Sequence, residues 1–159
     1  MKKYYDQEKI WRNIMEELSE FDIDHGVFYK IDDSGFTFFE DDFEFCDPFK
    51  IITDLFYYES FDNLRDYELN SILDISNYIK NHNLYRELLE ARCAYNDFMF
   101  KNDDPDEDEE ERLSDDFEFK VEIYLWTKHI FPEVVKTINK LLYERLEVIN
   151  FAFDAIREN

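Results

Sequence analysis

A chain of 159 residues with a formal net charge of −22 has the length of one ordinary domain. A domain of that length can hide about 70% of the surface its unfolded form exposes. Hydrophobic residues make up 45% of it and aromatic residues 19%, including 17 Phe and 11 Tyr, which argues against the disorder that such a charge would otherwise imply. Two glycines, Gly26 and Gly35, and three prolines, Pro48, Pro105 and Pro132, leave little material for multistranded all-β folds or glycine-rich phosphate loops, so helices should dominate and common nucleotide-binding motifs are absent.

In chain order, Ile10, Trp11, Ile14, Met15, Leu18 and Phe21 recur at helical spacing and predict an amphipathic helix from about Asp6 to Glu20. Val27, Tyr29 and Ile31 then alternate, Asp32-Asp33-Ser34-Gly35 is turn chemistry, and Phe36 to Phe45 is a β-rich aromatic run, which together predict a β-hairpin over about 26–45. Asp47-Pro48 marks the start of a second helix carrying Ile51, Ile52, Leu55 and Phe56. Leu69, Ile72, Leu73, Ser76 and Ile79 predict a third, the Asn81-His82-Asn83 cluster ends it, and Leu84, Leu88, Ala91, Tyr95 and Phe98 predict a fourth, expected to pair antiparallel with the third.

Residues 102–116 lack periodic apolar positions and read as an exposed acidic loop. Phe117, Phe119, Val121, Ile123 and Leu125 alternate and favour a strand over 117–125, against a competing helix through Val121, Leu125 and His129. After Pro132, the stripe Val135, Ile138, Leu142, Leu146, Ile149, Phe153 and Ile156 predicts a long terminal helix. Core packing is its expected use, with partner binding or self-association of a protruding helix as the alternative. The expected class is α+β, predominantly helical: about five helices, the small hairpin and the extra strand, in a single domain spanning 1–159.

Charge is concentrated in two places. Residues 21–66 carry 13 acids against 3 bases and residues 103–118 carry 11 against 1, while the remaining segments are close to neutral. Acidity kept only for solubility would be spread over every exposed face. Focal acidity points instead to a surface for a basic partner, with Asp32, Asp33, Glu40, Asp42 and Glu44 in the first cluster and Asp104, Asp106, Glu107, Asp108, Glu109 and Glu110 in the second. A solvated loop is the plain alternative for the second cluster. On a strand, Glu40, Asp42 and Glu44 would share one face about 6.6 Å apart, near twice the ~3.4 Å phosphate rise of duplex DNA.

Tests for catalysis find little. Pro105-Asp106 followed by Glu118-Phe119-Lys120 resembles the signature of a large superfamily of metal-dependent nucleases, over about 16 residues. That resemblance implies magnesium held by Asp106 and Glu118, with Lys120 helping to activate water. The chemistry needs its aspartate at the end of a core strand, and no apolar run leads into Pro105. His25, His82 and His129 are too scattered for a zinc site, and Asp22, Asp24 and Asp33 fall in a window with Val27 where a calcium loop needs glycine. No catalytic residue, metal or cofactor is expected.

Cys46 and Cys93 form neither a metal-ligand pair nor a disulfide framework, and no run is apolar enough for a leader or a membrane span. The expected location is the cytoplasm, of a bacterium or of a host cell if the chain is phage-encoded. The expected role is a DNA-mimicking inhibitor that blocks the cationic site of a nuclease or DNA-binding protein, as an anti-restriction, anti-CRISPR or toxin-immunity protein, without binding nucleic acid or membrane itself. The alternatives are an acidic scaffold or chaperone subunit for a basic protein and, more remotely, the nuclease.

Overall fold

The computed structural model describes residues 3–21, 31–32, 35–36 and 47–158. Helices α1 (Gln7–Glu20), α2 (Asp47–Tyr58), α3 (Asp66–Asn81), α4 (Leu84–Lys101), α5 (Glu107–His129) and α6 (Phe131–Glu158) account for nearly all of them. The starts of α1, α3, α4 and α5 have a local cause. Asp6 accepts from Lys9 N at 3.1 Å, Asn83 from Arg86 N at 3.1 Å and Asp106 from Asp108 N at 3.2 Å, and Glu68 accepts from Arg65 N at 2.6 Å. These bonds satisfy backbone donors that the first turn leaves open.

The α+β class does not hold. Of the expected hairpin, Ile31–Asp32 (β1) pairs antiparallel with Gly35–Phe36 (β2), Ile31 opposite Phe36 and Asp32 opposite Gly35. Two residues per strand do not make a sheet layer, and the remainder of 26–45 lies outside the described residues. The strand expected over 117–125 is the middle of α5, and the loop expected over 102–116 is a short link followed by the first turns of the same helix.

Burial explains the misreading of 117–125. Phe117, Glu118, Val121, Glu122, Ile123, Leu125 and Trp126 are all buried, because α5 packs against α1, α4 and α6. A helix enclosed on several sides has no polar face to mark its period, so its alternating apolar residues imitate a strand. The second surprise is pairing: α4 packs on α5 and α3 on α2, rather than α3 on α4.

The core centres on aromatic rings contributed by three helices. Trp126 is fully buried, lies 5.1 Å from Phe49 and 5.7 Å from Phe131 by ring centroid, and donates its indole N–H to Thr53 Oγ1 at 2.8 Å. Tyr5 stacks on Phe56 at 4.9 Å and donates to the Phe56 carbonyl. Ile130 alone separates α5 from α6, and Pro132 sits in the first turn of α6, where a missing N–H costs nothing. Among the described side chains of α6, Ile138 is the last buried and Leu141 the last partly covered; every side chain from Leu142 to Ala155 is exposed.

Candidate protein-binding surface

The second acidic cluster becomes one end of a helix. Asp103 and Asp104 lie in the link after α4, Asp106 caps α5, and Glu107, Asp108, Glu109 and Glu110 form its first turn. The N-terminal pole of a helix carries about half a positive charge, which offsets part of the repulsion among carboxylates in that turn. This is why the run folds where its composition suggested a loop.

Further along, the balance changes. Glu107, Glu111 and Asp115 follow one another at four-residue spacing and are all exposed. They form a row with about 6 Å of axial rise per step. Among the described residues none of the three makes an ion pair. Like charges at this spacing destabilise a helix by about 0.2–0.5 kcal/mol per pair, and Glu111 and Asp115 lie past the turn that the helix dipole relieves.

The two bases of the same helix that lie nearest are already engaged. Arg112 binds Glu109 through two hydrogen bonds, which hold the Glu109 carboxyl below its ordinary value, and Lys120 pairs with Asp116 at 3.1 Å. Burial, followed by the charges of Glu110 and Glu118, raises the Tyr95 phenol above its usual range. The end of α5 therefore presents unneutralised carboxylate with little cation to compensate it.

Of the first cluster, Asp32 falls within β1, while Asp33, Glu40, Asp42 and Glu44 lie outside the described residues. The nuclease-like signature does not assemble: Asp106 precedes the helix on which Glu118 sits twelve positions later, about 18 Å along the axis. Glu118 is buried and Lys120 is bound to Asp116. Among the described residues no cluster of His, Cys, Asp or Glu is arranged to hold a metal ion.

Too scattered for a zinc site, His82 and His129 are each held by partners within the chain. His82 stacks on Tyr78 at 4.1 Å and bonds Glu87 at 3.0 Å, and His129 bonds Glu17 at 3.0 Å. A cleft of about 680 Å³ opens between the α3–α4 junction and α5, with Lys80, His82, Tyr85, Tyr124 and Lys128 among its walls. Lys128 is tied to Glu17 at 2.7 Å and His82 to Glu87, so two of its three basic groups are committed within the chain. No helix among the described residues is long and apolar enough to cross a membrane. No protein-family model matches the chain, and no curated protein or solved structure shows significant similarity to it.

Proposed function

We propose that the chain works by binding rather than by catalysis, as a stoichiometric inhibitor whose acidic α5 terminus takes the place of a nucleic-acid backbone in the cationic groove of a nuclease or DNA-binding protein. The observation that carries this reading is the exposed row Glu107, Glu111 and Asp115. Its ~6 Å axial step lies close to twice the ~3.4 Å phosphate rise of one DNA strand. The row also weakens its own helix, and among the described residues none of the three carboxylates makes an ion pair.

A protein that grips DNA cannot discard the Lys and Arg that bind phosphate without losing its substrate. An acidic competitor exploits that constraint, and its field accelerates encounter. The neighbouring Asp103, Asp104 and Asp108, all exposed, extend the negative surface around the end of the helix. The expected role is anti-restriction, anti-CRISPR or toxin immunity, with no cofactor.

Immobilised chain should capture a nucleic-acid-binding protein from cells of its source that duplex DNA and raised salt both displace, while the triple variant Glu107→Lys, Glu111→Lys, Asp115→Lys captures none. Equal capture by the variant, or capture indifferent to DNA, would overturn the proposal.

A further inference from the structure

The outer half of α6 is a second exposed surface of the opposite character. Val148 is 69% exposed, Phe151 77% and Tyr143 64%, with Leu146, Ile149 and Phe153 half exposed or more. A lone helix of about 15 residues is marginal in water, and helices this apolar are normally covered. We propose that a second copy of the chain covers one side of it: two terminal helices pack antiparallel through Leu142, Leu146, Ile149 and Phe153.

Three observations select a second copy. The spacing of those four residues, four then three then four, is that of alternating core positions in a two-helix coiled coil. Residues 139–158 carry 4 acids and 3 bases in a chain of net charge −22, so this is a surface two copies can bring together without pressing their acidic clusters against each other. At 100° per residue Glu144, Glu147, Asp154 and Glu158 fall on the far side of the helix from the seam, which a basic partner would not select.

Area and orientation are consistent with this occupant. Four apolar side chains per copy, at about 60–120 Å² each, remove roughly 500–1,000 Å² in total, short of the ~1,200 Å² lower end of stable interfaces. The expected dimer is therefore concentration-dependent. Antiparallel packing sets the two acidic bodies at opposite ends of a seam about 17 Å long, beyond the ~8 Å screening length at physiological salt. A parallel pair would place them side by side.

Sedimentation equilibrium of the full chain tests this. The expected result is a shift with concentration toward twice the 19.6 kDa chain mass, strengthened by salt, whereas capture of a basic target weakens with salt. Ile149→Glu with Phe153→Glu should sediment as a single chain with unchanged circular dichroism, and Phe151→Glu, on the opposite side of the helix, should still dimerise. If the double variant loses helix signal, Leu146→Asn reports on the same seam by the same loss of mass. A wild-type chain of single mass at every concentration overturns the proposal: slow hydrogen exchange over 142–157 would then assign the cover to another part of the same chain, and fast exchange would leave the face to a different protein. A dimer that survives both seam variants overturns it equally.

Discussion

Helices α5 and α6 are mirror images in exposure. The first begins in solvent and ends at buried Trp126, whereas the second begins at buried Phe131 and ends in solvent. Their exposed halves are chemically opposite, since α5 presents Glu107, Glu111 and Asp115 and α6 presents Leu146, Val148 and Phe151. Each of these surfaces is unfavourable in an isolated chain, the one by like-charge repulsion and the other by hydrated apolar area. The buried halves hold the fold, and the exposed halves are where binding is to be sought.

The largest expected effect separates the two halves of α6. Ile138→Ala should cost about 2–5 kcal/mol in urea unfolding, because it empties a filled core position. Leu146→Ala, eight residues along the same stripe, should change the stability of the dilute chain by less than about 0.5 kcal/mol. Similar losses at both positions would show that the outer half is covered after all.

Alkaline titration reads the buried end. Burial, then the charges of Glu59 and of Glu133 in the first turn of α6, hold the Tyr5 phenol well above its ordinary value of 10.0. The folded chain thus keeps this proton to higher pH than the unfolded chain. The stability Tyr5 contributes is full below about pH 10 and falls above it, with a limiting slope of about 1.4 kcal/mol per pH unit. Tyr5→Phe should reduce that slope in denaturation measured across this range, leaving the part due to other raised phenols such as Tyr95, and an unchanged slope would place its origin elsewhere.

The smallest effect lies on α5. Glu111→Gln relieves repulsion with both Glu107 and Asp115 and should raise stability by about 0.5 kcal/mol at low salt, a gain that fades at 1 M salt, where the screening length is ~3 Å. A loss of stability instead would mean that the carboxylate row is structural, and would sever it from the binding role.

The ends of the chain were more legible than its middle. Helix α1 was readable from Ile10, Ile14 and Leu18, and α6 from its stripe after Pro132, because each has a covered side that sets a 3.6-residue period for at least part of its length. In α5, Phe117, Phe119 and Val121 alternate, yet Glu118 and Glu122 beside them are buried as well, which no sequence period announces. The pairing of α4 with α5 depends on how helices share the core, and neighbouring helices in sequence need not share it.

Composition by itself determined that this chain folds, that it is dominated by helices and that its acidity is focal, because those properties follow from residue types and their local order. Tertiary structure decided the remainder. It converted the expected acidic loop into the capped end of a helix, because the helix pole favours the carboxylates that the composition alone would disperse. It also divided one apolar stripe into a buried and an exposed half, since burial depends on where the body of the protein stops and not on the residues of the stripe.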